Sequence, residues 1–262
     1  MRVFILLLAI ISVAFVQDSK TKNATIRQRS QLMVTDNIGN VYLCYNDQIL
    51  KYDADGAFIK EFSNKNFGNI AHTDATNALR ILLFYKEVSR IIFLDNTLSI
   101  NAEPVQLEAL GFPNAQLTCT SMENGLWLYD QDNFELIRLN RNLQIEQRTG
   151  NLGQVLNIAI QPNFMVEKNN RLFVNNPTTG IMIFDIYGTY ANTIPIKNLA
   201  SFQVLEDRII YFEKQKLKAV DLLSYTDVEY KDSEFPGALN VRLEKQKMVV
   251  HYPDSCTIYK QQ

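Results

Sequence analysis

The chain has 262 residues, 47% of them hydrophobic and 21% charged, with a formal net charge of −2. That balance supports a real core and excludes a low-complexity disordered chain, and with no basic block it also excludes binding to nucleic acid by neutralising phosphates. The length fits one large all-β domain or two smaller domains.

The chain opens MRVFILLLAIISVAFVQDSK, with Arg2 as a short positive region, an apolar run from Val3 to Ile11 and small residues at Ser12-Val13-Ala14. This reads as a secretory signal peptide over residues 1–16, with residues 17–262 forming a single domain. The alternative is an N-terminal membrane anchor, but the run is shorter than the ~20 residues a spanning helix needs. The mature protein is then exported (periplasmic, outer-membrane-associated or extracellular), with no membrane-spanning segment left after cleavage.

Beyond this segment helical periodicity is scarce. Short β-branched and aromatic runs are broken by Asn, Asp, Gly and Lys, the signature of strands joined by tight turns. VYLCYNDQILKYDADGAFIKEF, from Val41 to Phe62, reads strand, polar turn, strand, acidic residue, strand. The same order returns in LLFYKEVSRIIFLDNTLSI, LWLYDQDNFELIRLNRNLQIEQ, LFVNNPTTGIMIFDIYGTYAN and IIYFEKQKLKAVDLLSYTDVEY, and begins again in MVVHYPDSCTIYK. The marker residues Asp53, Asp95, Asn140, Asp185 and Asp221 recur about 42, 45, 45 and 36 residues apart, the period of a four-stranded propeller blade. Each marker is expected to accept backbone N–H bonds in its turn.

A further strand precedes each unit: SQLMVTD, NIAHTDAT, QLTCTSME, NFMVEKNN, SFQVLED and ALNVRLEK. Six inner strands predict six blades. The sixth unit ends one strand short, while NATIRQRS near the start is one strand too many. The expected fold is therefore an all-β six-bladed β-propeller of four-stranded antiparallel blades, closed by an N-terminal strand at Thr25 to Gln28 that completes the last blade. Middle strands such as Ile91-Ile92-Phe93-Leu94 and Ile181-Met182-Ile183-Phe184 are apolar on both faces, as stacked blades require.

On this strand, turn and Asp/Asn pattern the chain resembles the six-bladed propellers of the NHL-repeat and TolB-like class, over essentially the whole mature length. Of the glycines typical of NHL repeats, Gly39 and Gly56 of the first unit are well placed. The class includes scaffolds, receptors and sugar-lactone hydrolases, so the resemblance implies a fold and leaves function open.

Signals for chemistry are sparse. His72 and His251 fall in different units, and no nucleophile-elbow or clustered Cys/His motif is present. Cys44, Cys119 and Cys256 are widely spaced and read as small buried hydrophobes, a Cys44–Cys256 bridge being conceivable once the chain ends meet. Lactone-hydrolysing propellers hold calcium on channel oxygens; by that resemblance Asp36, Asp74, Glu123, Glu167, Asp207 and Glu244 are the candidates, although turn chemistry explains acids at the ends of inner strands without a metal. Quinone-binding propellers repeat Trp motifs, whereas this chain has only Trp127, and no cofactor or metal is expected.

Phenylalanines recur where each outer strand leads into the next inner strand, at Phe67, Phe112, Phe164, Phe202 and Phe235, with Asn114 beside the second. These six residues are the candidate partner-binding set, able to present aromatic and amide groups around one mouth of the channel; the competing reading has each Phe plugging the gap between blades. The expected function is an exported, non-catalytic scaffold that binds another protein, in a bacterial envelope assembly or secretion complex. The alternatives are a metal-dependent lactonase-like hydrolase and a carbohydrate-binding propeller.

Overall fold

The structure is a computed structural model that describes residues 21–244 and 246–260. The expected signal peptide, residues 1–16, lies outside the described residues. Among those described, no helix is long and apolar enough to cross a membrane.

The chain forms six four-stranded antiparallel sheets. Five are plain meanders, each running outward from an inner strand. In blade 1 these strands are Leu32–Thr35, Val41–Tyr45, Gln48–Tyr52 and Phe58–Ser63. The inner strands of blades 2 to 6 are His72–Asp74, Ala115–Thr120, Phe164–Lys168, Phe202–Leu205 and Asn240–Glu244. The sixth sheet takes its outer strand from the other end of the chain, where Thr21–Ile26 pairs antiparallel with Ser255–Lys260. Thr25 sits opposite Thr257 and Ile26 opposite Cys256.

Closure thus follows the expected design with a shifted boundary. The strand begins earlier and stops at Ile26, the last apolar residue before Arg27-Gln28-Arg29, and Ile26 is buried between blades 6 and 1. In blade 4 the second strand runs to Asn176 and the third resumes at Gly180, leaving a three-residue turn. The Asn176 amide donates to the Thr178 and Thr179 hydroxyls and so caps that turn itself.

The marker residues act as anticipated. The side-chain oxygen of Asp53 accepts from the Asp55 and Ala57 amides, and Asp95, Asn140, Asp185 and Asp221 each accept two backbone N–H bonds in the same way. Asp36 builds a further copy in the first turn of blade 1, accepting from Ile38 and Asn40. These turns need one residue at positive φ. Gly56 and Gly188 supply it in two blades, Leu98 and Leu143 in two others, and Tyr225 in a longer turn. Leu98 is buried in the blade 1–2 interface, which offsets the cost of about 1–2 kcal/mol for a left-handed leucine. This substitution explains why the glycine signature of the repeat is faint.

The core is six interfaces, one between each pair of neighbouring blades. Successive residues of a middle strand point to opposite faces. Ile91 and Phe93 therefore pack toward blade 3, and Ile92 and Leu94 toward blade 1. Likewise Ile181 and Ile183 pack toward blade 5, and Met182 and Phe184 toward blade 3. Both faces are dry, so these strands are apolar throughout, each fully buried Leu, Ile or Phe contributing about 1.5–3 kcal/mol.

Candidate functional site

The inner strands enclose a central channel. First-to-second and third-to-fourth strand turns lie on one face of the ring, here the turn side. The other face, the crossing side, carries the outer-to-inner connections. A chamber of about 290 Å³ opens on the turn side and one of about 210 Å³ on the crossing side, with a waist of about 30 Å³ between them. Phe164 of blade 4 and Arg242 of blade 6 line all three spaces. The Phe164 ring meets His72 of blade 2 edge-on at 5.7 Å and Phe202 of blade 5 at 5.0 Å, so aromatic contacts span the channel. In Asn240–Glu244, Val241 and Leu243 enter the blade 5–6 core, while Asn240, Arg242 and Glu244 alternate onto the half-buried channel side.

The inner-strand acids bind other parts of the protein. Asp36 is buried and holds its own turn together, also accepting from the Asn40 amide and the Tyr42 hydroxyl. Asp74 accepts from Thr76 through one oxygen, and from the backbone N–H and hydroxyl of Thr120 in blade 3 through the other. Glu167 reaches the Ser121 hydroxyl, the Met122 N–H and the Trp127 indole N–H at 2.6 Å, all in blade 3. Glu244 accepts from Thr35 in blade 1 and Gln203 in blade 5, and burial pushes its pKa up. Asp207 is an exposed partner of Arg171, and Glu123 is exposed at positive φ. Turn chemistry accounts for Asp36 and one oxygen of Asp74; the longer Glu167 and Glu244 instead tie neighbouring blades together. Among the described residues no group of three or more His, Cys, Asp or Glu side chains is arranged to hold a metal ion.

The candidate partner-binding residues divide. Phe112, Phe202 and Phe235 are only 3%, 3% and 6% exposed and pack in blade interfaces. Phe67 is half-buried against Tyr85 with Arg90 over its ring. Phe164 faces the channel. Asn114 is exposed and donates its amide to Asp132 at 2.9 Å. A phenylalanine leading into an inner strand, as in five of the six blades, is where a ring can plug the seam between blades, so the recurrence seen in the sequence is mainly a packing signal. Sequence reasoning missed Arg242; its place between Val241 and Leu243 on a strand was the available cue, since alternation turns it to the channel.

All three cysteines are free and buried. Cys44 packs between blades 1 and 2, and Cys256 between blades 6 and 1, so the body of blade 1 separates the pair once considered for a bridge. Burial raises each thiol, Cys44 and Cys256 to about 12. It lowers both histidines, and His251 meets the Ser30 hydroxyl at 2.8 Å. Trp127 is wholly buried in the blade 3–4 core.

The ring, its closure and its repeated turns define a six-bladed β-propeller, like the NHL-repeat and TolB-like class at the level of fold. No protein-family model and no curated protein sequence matches the chain. Solved structures do. A catalytically inactive virginiamycin B lyase from Staphylococcus aureus, solved with quinupristin, is 11% identical with a TM-score of 0.61 over 94% of this chain and 99% of that one. A chain of the mitotic checkpoint complex is 9% identical with a TM-score of 0.57 over 99% and 98%. The extracellular domain of a one-component system from B. thetaiotaomicron is 14% identical with a TM-score of 0.55 over 87% of this chain and 32% of that one. At these identities the likeness is one of fold alone.

Proposed function

We propose that this propeller is an exported scaffold that binds another protein, within an envelope assembly or secretion complex, and that its docking face is the turn side. The observation that carries this reading is the set of large apolar side chains exposed on that side. Ile38 and Leu79, 68% and 67% exposed, sit on the first turns of adjacent blades near the channel mouth. Leu223, 76% exposed, and Tyr225 stand on the third-to-fourth turn of blade 5, and Tyr187 on that of blade 4. The Tyr225 hydroxyl accepts from Asn192 of blade 4, which links the two blades at the rim. Apolar side chains exposed on turns held by rigid blades suit protein recognition. Export is supported by the signal-like first residues and is compatible with the extracellular neighbour.

The test is affinity capture from the native envelope fraction with the wild-type protein, an Ile38→Glu/Leu79→Glu variant and an Asn114→Glu variant altered on the crossing side. A partner retained by wild type and Asn114→Glu but lost by the double variant supports the reading. A partner indifferent to the double variant overturns the choice of face.

A further inference from the structure

The crossing-side chamber is lined by a single formal charge, Arg242. Its walls are apolar at Leu32, Val34, Ala71 and Phe164 and neutral polar at Ser201 and Asn240, and no carboxylate lines it. His72 and His251 also contribute, but burial lowers both, leaving them neutral at pH 7. Arg242 is the one formal charge in that wall. Its Nε is buried without a hydrogen-bond partner, and no ion pair to it forms among the described residues. Glu244 and Asp74 act on Arg242 through space, with no hydrogen bond to it, and accept instead from Thr35 and Gln203 and from Thr76 and Thr120.

Only the Nε of this half-buried side chain is stranded away from solvent; the terminal nitrogens face the channel, and their planar fork of donors matches a carboxylate in two parallel hydrogen bonds. Beside it the Phe164 ring and the aliphatic wall offer a dry surface for an apolar body, and about 210 Å³ admits only a small molecule. We infer that the crossing-side chamber is a binding site for a small monocarboxylate with an apolar body, its carboxylate forked on Arg242 and its body against Phe164, Leu32 and Val34. The site is distinct from the docking face and does not rest on it.

The experiment titrates the protein with benzoate, its neutral isostere benzamide, and inorganic phosphate, read by calorimetry and thermal shift. Benzoate should bind at least tenfold more tightly than benzamide, phosphate should not compete with it, and Arg242→Gln should weaken benzoate at least tenfold. Arg242→Lys should fall between, because an ammonium cannot fork. Equal binding of benzamide, or binding of phosphate in place of benzoate, overturns the inference. Should Arg242→Gln fail to fold, wild-type crystals soaked in 4-bromobenzoate decide the matter: an anomalous bromine peak in the chamber with the carboxylate on Arg242 supports the site, and a peak elsewhere or none refutes it.

Discussion

The Ser30 hydroxyl lies 2.8 Å from Nε2 of His251, joining residues 221 positions apart in the chain. The same seam holds the Ser30 N–H on the Pro253 carbonyl at 3.3 Å, and Lys247 on Asp55 at 2.9 Å. Blade 1 therefore meets blade 6 through hydrogen bonds and an ion pair as well as through the apolar cluster of Ile26, Met33, Leu50 and Ile258.

If that seam closes the ring, trimming it should weaken the whole domain. Ile26→Ala is expected to cost about 2–4 kcal/mol, the range for removing a buried aliphatic side chain. Ile59→Ala, on the exposed outer strand of blade 1, should stay within about 0.5 kcal/mol. Equilibrium guanidinium unfolding checks both, and a seam that does not couple to the rest would leave the Ile26→Ala midpoint unchanged.

Histidine burial sets a pH dependence. The folded pKa of His251 is depressed by burial, as is that of His72, so below the ordinary histidine pKa of about 6.5 the unfolded chain binds more protons than the folded one. Their contribution is complete above about pH 6.5 and is lost as pH falls toward the folded values. Glu244 acts in the opposite sense: its raised folded pKa makes its buried charge a cost at neutral pH that fades on acidification. In a Glu244→Gln background the denaturation midpoint should fall between pH 7.5 and 5.5, and His251→Gln should flatten that slope. An unaltered slope would contradict the assignment.

Glu167 is expected to matter through three donors at once. Glu167→Ala leaves the Trp127 indole N–H, the Ser121 hydroxyl and the Met122 N–H without their acceptor. Stranding even one such donor costs about 1–3 kcal/mol, and Glu167→Gln, which keeps an acceptor oxygen, should lose less. Trp127 is the sole tryptophan, so its emission reports the blade 3–4 interface directly. Identical stability for the two variants would rule out the proposed blade clamp.

The thiols give a simple count. Cys44, Cys119 and Cys256 are buried with raised pKa, and only the thiolate attacks disulfide reagents. Native protein should react slowly or not at all with Ellman's reagent near pH 8, and unfolded protein should titrate all three. Fast reaction of any one in the native state would place it at an open seam.

The repeat, the marker turns and the ring closure were legible in the sequence because each is local or a matter of counting. An Asp or Asn after a strand bonds amides two to four residues on, alternation fills both faces of a middle strand, and a surplus strand at one end answers a deficit at the other. The structure altered a boundary there, with the closing strand ending at Ile26. The roles of the site residues were decided by the tertiary structure. Nothing in the spacing of Phe112, Phe202 and Phe235 distinguishes a surface ring from a seam plug, because that depends on where the neighbouring blade sits. Nor does local sequence bring His72, Phe164 and Arg242 together from blades 2, 4 and 6, or send Asp74 and Glu167 to blade 3. Those meetings depend on how six sheets curve around one axis, so the channel and its guanidinium belong to the tertiary structure, while the blades themselves were written in the chain.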